Sequence, residues 1–291
     1  MKTFKVLLVL AAVAALRAET SVQHLLENKM FNRLREYEAG MRGVLGVATI
    51  DLTSGRVFVF NGEAVFPTAS SIKIPIMVEM FRRQPSRLRE SVTLTGKDAV
   101  GGSGSLGAEL AKGPKTLSVM DLITLMIRDS DNTATNQVIA MAGMDRVNAL
   151  MDRFGFRTIR LRRIMMDAAA ARRGDENTTS PLEMARLVEM LNSGKLAGPA
   201  ETKQMIDVLK LVKAGFRKAV PDSVEVASKP GSVPGVDCEA GIVYLRKRPF
   251  IAAIYTTFTD EEKAPVVDLM KIVYEYFSTL ARSNEYGNRL Q

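Results

Sequence analysis

Apolar residues change their spacing along the chain, and the changes divide it into elements. Leu25, Leu26, Met30, Leu34 and Tyr37 recur as one helix face does, and Gly40 closes the run. Gly43 to Leu52 then alternates like a half-buried strand, Thr53-Ser54-Gly55 has turn composition, and Arg56 to Phe60 reads as the returning strand. From Pro67 to about Leu211 the spacing is mostly helical. Leu117, Met120, Ile123 and Ile127 mark one helix, Ala134 to Ala142 a second, and Pro181 to Leu191 a third that opens on proline. Arg162 to Ser180 has no sustained period, which in a compact chain indicates a functional loop or a packed Ω-loop. Strands return at Val224 to Ser228, Glu239 to Leu245 and Pro249 to Phe258, with a basic turn at Arg246-Lys247-Arg248. Thr259-Asp260-Glu261-Glu262 reads as a capping box for a last helix carrying Val266, Val267, Met270, Ile272, Val273 and Phe277.

Strand pairs at both ends of a helical middle predict an α/β chain of the α+β kind. One antiparallel sheet is flanked by terminal helices, with an all-helical lobe inserted. The sheet lobe is expected at 19–66 and 212–291, and the helical lobe at 67–211 with the Ω-like loop at 162–180.

Composition narrows the chemistry. Apolar content of 46% and charged content of 25% are ordinary for a globular protein. Residues 1–18 differ: Lys2 and Lys5 precede an apolar run from Val6 to Leu16, with small residues at Ala14, Ala15 and Ala18. That is the pattern of a cleaved secretory signal, and the run is short for a membrane span. A secreted or periplasmic location is expected, with no stable membrane anchor. Removing the three cations of that segment takes the net charge from +8 to about +5. Such a surplus suits small anionic substrates, and no basic block is interleaved with aromatics, so nucleic acid is not an expected partner. Cys238 is the only cysteine, which rules out an internal disulfide. His24 is the only histidine, and it lies in the first helical pattern. A Ser-His-Asp triad, Cys-His catalysis and multi-histidine metal sites are thereby excluded. No metal or other cofactor is expected, and a serine enzyme built on this chain needs a lysine or carboxylate base.

Ser70 meets that need. Pro67 stops a strand and Pro75 fits only the first turn of a helix, so Ser70 sits at or just before a helix N-terminus with Lys73 three residues on. Hydroxyl and amine then share a face, and a backbone N–H is aimed at any oxyanion formed by attack. A helix cap beside a solvated lysine gives the same pattern. Ser130-Asp131-Asn132 follows a helix ending at Arg128, where it can project side chains from a loop or simply cap the next helix. Lys229-Pro230-Gly231-Ser232 follows Val224-Glu225-Val226, where Pro and Gly also serve as strand stops.

Taken in order, Ser70-x-x-Lys73, Ser130-Asp131-Asn132 and Lys229-x-Gly231 resemble the class A β-lactamases and their penicillin-recognising relatives. Ser130 follows Ser70 by 60 residues and Lys229 follows Ser130 by 99, and the likeness extends to Gly174-Asp175-Glu176 and Thr178-Thr179-Ser180-Pro181. The resemblance implies a β-lactamase/transpeptidase-like fold and a serine hydrolase acting on a cyclic amide. It makes Ser70 the acylated nucleophile, Lys73 its proton acceptor, and Ser130 the proton relay to the leaving nitrogen. Asn132 would bind the substrate's side-chain amide, Lys229 and Ser232 its carboxylate, and the backbone N–H groups of Ser70 and Ser232 the oxyanion.

Two positions depart from the family. Pro230 stands where Thr or Ser is usual in the family, removing a hydroxyl that Ser232 is expected to replace. The loop motif Glu-x-x-Leu-Asn is missing: its Glu falls on Met165 and its Asn on Ala169, leaving Asp167 as the nearby carboxylate for deacylation. The expected partner is a small β-lactam or a peptidoglycan stem peptide, taken by a monomer. The alternatives are a D,D-peptidase or transpeptidase on peptidoglycan, and a penicillin-binding protein that stays acylated.

Overall fold

The computed structural model of the protein describes residues 22–260 and 265–290. The signal expected at 1–18 lies outside the described residues, as do Glu261 and Glu262 of the expected capping box. The chain opens with α1 (Val22–Gly40), β1 (Val44–Asp51), β2 (Val57–Phe60), β3 (Phe66–Pro67) and α2 (Lys73–Arg83). The middle holds β4 (Ser91–Leu94), α3 (Leu106–Leu110), β5 (Lys115–Ser118), α4 (Val119–Arg128), α5 (Asn132–Ala142) and α6 (Met144–Arg153). It continues through α7 (Ala168–Arg172), β6 (Thr178–Thr179), α8 (Pro181–Asn192) and α9 (Pro199–Lys210). The chain closes with β7 (Glu225–Val233), β8 (Val236–Tyr244), β9 (Phe250–Thr257) and α10 (Pro265–Ala281).

The sheet is antiparallel with five strands in the order β2-β1-β9-β8-β7, so β7 is an edge strand. The central strand β9 is buried on both faces, and its side chains alternate between two cores. Phe250, Ala252 and Ile254 join the core under α1 and α10, whereas Ile251, Ala253 and Tyr255 join the core shared with the helices. Both cores are therefore fixed by one sheet, and a one-residue slip of β9 would exchange them. Among the described residues no helix is long and apolar enough to cross a membrane.

Several boundaries differ from the sequence expectation for definite reasons. Leu117 belongs to β5, not to the helix that follows, because Ser118 and Asp121 form a capping box that starts α4 at Val119. The helical middle also contains the β4–β5 pair and the short β3–β6 pair. The loop expected at 162–180 carries a turn of helix, α7, capped by Asp167. Lys229-Pro230-Gly231-Ser232 does not end a strand; it lies inside β7. Proline is tolerated there because β7 is an edge strand with one side unpaired.

Candidate active site

The segment before α2 is held from both ends. Phe66 and Pro67 pair with Thr179 and Thr178, and the Thr68 N–H donates to Asn177 O at 2.9 Å. Ala69 then takes a positive φ of 39°, a costly conformation for a residue with a Cβ, and the chain turns through a single 3-10 turn, Ala69–Ile72. Ser70 is left half-buried on that turn. Behind it the Ser71 hydroxyl donates to Thr68 O at 2.9 Å and meets the buried Tyr255 hydroxyl at 2.8 Å. The nucleophile candidate is thus backed by the sheet core.

Lys73 is fully buried in the first turn of α2. Its Nζ donates to Ser130 O at 2.7 Å, Ser130 Oγ at 3.0 Å and Asn132 Oδ1 at 3.2 Å. Those three bonds use the three donors of an ammonium, and the Ser70 hydroxyl is not among them. Burial holds the Lys73 pKa well below the ordinary lysine value, Lys229 pushes it further down, and Asp131 opposes both.

Ser130 reaches Lys73 because its backbone adopts φ 56° between α4 and α5. In the Ser130-Asp131-Asn132 run the middle residue is the structural one. Asp131 caps α5 through the Ala134 N–H at 2.8 Å and accepts the Leu106 N–H at 2.9 Å. Asn132 binds Lys73 with its oxygen and donates to Gly101 O at 3.2 Å with its amide nitrogen.

Across the cleft, β7 packs directly against the Ser70 turn. A Cβ on Gly231 would stand 2.6 Å from Ser70 N and 2.9 Å from Ser71 N, so only glycine lets the strand approach. Lys229 is buried, and its Nζ donates to Pro230 O at 3.0 Å. Ser70, Asn132, Ser232 and Asp167 line one cleft of about 360 Å³ together with Arg163, Met165 and Met166.

The segment 162–180 forms the remaining wall. Asn136 clasps Met165, accepting its N–H at 2.8 Å and donating to its carbonyl at 3.1 Å. Asn177 accepts the N–H groups of Arg162 and Arg163 at 2.7 and 3.0 Å, and an Arg163–Glu176 ion pair at 2.7 Å closes the loop. Met165 is buried, whereas Ala169 is exposed. Met166 has φ 62° and lays its sulfur 2.9 Å from where a Cβ on Gly102 would be. The Asp167 carboxylate accepts the Ala170 N–H at 2.9 Å as the cap of α7.

Asn136 and Asn177 do not stand out in the sequence. Asn136 had a usable signal: it lies one helical turn beyond Asn132, on the same face of α5.

A sequence model of the beta-lactamase enzyme family matches residues 29–277. A beta-lactamase of Proteus vulgaris is 26% identical over 269 residues, covering 88% of this chain and 98% of that protein. The structure of a beta-lactamase from Sphaerobacter thermophilus superposes with a TM-score of 0.77 at 26% identity, covering 86% of this chain and 97% of that one. A variant of PBP-A, solved as an acyl-enzyme with penicillin G, shares the fold with a TM-score of 0.78 at 23% identity, over 87% and 97% of the two chains.

Proposed function

The chain belongs to the beta-lactamase enzyme family, and from that premise we propose that it is an exported serine hydrolase that opens β-lactam rings through a Ser70 acyl-enzyme and releases the product slowly. The observation that carries this reading is the buried Lys73 ammonium site, bonded to Ser130 and Asn132 and faced by Lys229. A lysine serves as a base near neutral pH only when its surroundings disfavour the charged form, and burial with a second cation does that here.

In the proposed step the Ser70 hydroxyl gives its proton to neutral Lys73 as its oxygen bonds to the lactam carbonyl carbon. The C–N bond then breaks, and the leaving nitrogen takes a proton from Ser130, which is replenished by Lys73 at 3.0 Å. The N–H groups of Ser70 and Ser232 stabilise the oxyanion, Asn132 binds the substrate amide, and Lys229 with Ser232 binds its carboxylate. Support for slow release comes from the loop. Met165 has no useful basicity, Ala169 has no amide, and the Asp167 carboxylate is engaged in capping α7. The same loop favours a second reading, a penicillin-binding protein that stays acylated or passes its acyl group to another nucleophile.

The test is covalent labelling. Incubation with a penicillin should add one penicillin mass per chain, mapping to the peptide that contains Ser70. Folded Ser70→Ala protein should take no label, and undiminished labelling of that variant refutes the assignment.

A further inference from the structure

Among the described residues one methionine is exposed. Met166 is 56% exposed, while the others are buried or half-buried. Its backbone is strained at φ 62°, and both neighbours hold it there: Asn136 clasps Met165, and Asp167 caps α7. The Ala168 N–H closes the turn by donating to Met166 O at 3.0 Å. The thioether lines the cleft, where a Cβ on Gly102 would stand 2.9 Å from Met166 Sδ and 2.6 Å from Asn132 Nδ2. Sulfur and amide thus flank the same glycine. The Asn132 amide nitrogen donates one proton to Gly101 O, and its other proton has no acceptor among the described residues.

Oxidation turns a flexible apolar thioether into a polar sulfoxide that accepts hydrogen bonds. We propose that Met166 is a reversible oxidation site for peroxides, and that its sulfoxide oxygen accepts the second Asn132 N–H and so closes the amide-binding end of the cleft. In the step a sulfur lone pair attacks one oxygen of hydrogen peroxide. The S–O bond forms as the O–O bond breaks, sulfur loses two electrons, and the attacked oxygen passes its proton to the departing hydroxide, which leaves as water. The effect on acylation rests on the acyl-transfer reading; the oxidation and the Asn132 bond do not.

Burial makes the site selective. Cys238 is fully buried, and burial pushes its thiol up to about 12, so little thiolate competes for the oxidant. Met165, next in the chain, turns inward and is buried. The Lys73 bond uses the other end of the Asn132 amide, Oδ1, and is left in place by oxidation. The loss therefore falls on substrates that need the Asn132 N–H, which are those carrying an acylamino side chain.

The test treats the full chain with hydrogen peroxide and follows it by intact mass and peptide mapping. One oxygen should enter first at the peptide carrying Met166, at least about tenfold faster than at any other methionine, because exposure sets the rate. In protein with ¹⁵N-labelled asparagine, oxidation should shift the Asn132 side-chain amide signal, which is identified by its loss in Asn132→Ala. Acylation by benzylpenicillin should fall about fivefold, the scale of one lost hydrogen bond, and acylation by the penicillin nucleus with a free amine by less than about twofold. Methionine sulfoxide reductase should restore the rate, and Met166→Leu should keep its own untreated rate through the same exposure. First oxidation at another methionine overturns the proposal, as does an Asn132 signal unmoved by oxidation at Met166. So does an equal loss with both compounds, or a loss in Met166→Leu. If neither compound acylates the untreated protein, the acyl-transfer reading fails, and the mapping and the NMR signal still decide the oxidation site and the Asn132 bond.

Discussion

On the side of α2, α5 and β7 the cleft is walled by polar groups whose hydrogen bonds close on one another. Lys73 binds Ser130 and Asn132, and Gly231 admits the strand against Ser70. On the side of segment 162–180 the wall offers Met165, Met166, Ala168 and Ala171, and its lining carboxylate, Asp167, caps a helix. Both walls are firmly held. Asn136, Asn177 and the Arg163–Glu176 pair fix the loop by its backbone, whereas the first wall is fixed through the side chains proposed to react. A loop anchored by its backbone keeps its path when its lining side chains change. Bond making and bond release can therefore be separated in one cleft by replacing a few residues on one side.

The largest break in this contrast comes from the first wall. Lys73→Ala should slow acylation by at least about 10²-fold, the usual scale for a lost general base. The acylation rate of the wild type should fall as pH drops through the depressed Lys73 value, since only the neutral amine accepts a proton. Stopped-flow acylation across pH checks both, and a rate in the variant equal to wild type between about pH 6 and 8 removes Lys73 from the role.

The second wall should respond in the opposite direction. Met165→Glu with Ala169→Asn should raise deacylation by about 10²-fold and leave acylation unaltered, because the loop backbone is held independently of both side chains. Steady-state turnover of a chromogenic cephalosporin measures it.

Smaller effects sharpen the boundary between the walls. Gly231→Ala places a methyl 2.6 Å from Ser70 N. It should push β7 off the oxyanion position and slow acylation about tenfold, less than the loss of a whole donor. Asn136→Ala removes both bonds to Met165 and should lower stability by about 1–2 kcal/mol in chemical denaturation, with acylation little changed.

Much of the first wall was visible in the sequence because the proposed chemistry needs particular residue types at fixed spacings. Ser70, Lys73, Ser130, Asn132 and Lys229 are named by such spacings, and the sheet by the period-2 runs at both ends. What escaped was set by tertiary contact. Asn136 is an ordinary helical asparagine until Met165 packs beside it. Leu117 fits a helical spacing until the β4–β5 pairing and the Ser118 cap claim it for a strand. Pro230 reads as a strand stop until the sheet order makes β7 an edge.

The contrast between the walls is tested most directly by intact-mass spectrometry of the wild type with a penicillin, followed from seconds to hours. Complete acylation, one adduct per chain, should form first and decay slowly, with weak steady-state hydrolysis beside it. Fast multiple turnover without an accumulating adduct, abolished in Asp167→Asn, would contradict the account and make Asp167 the deacylating base.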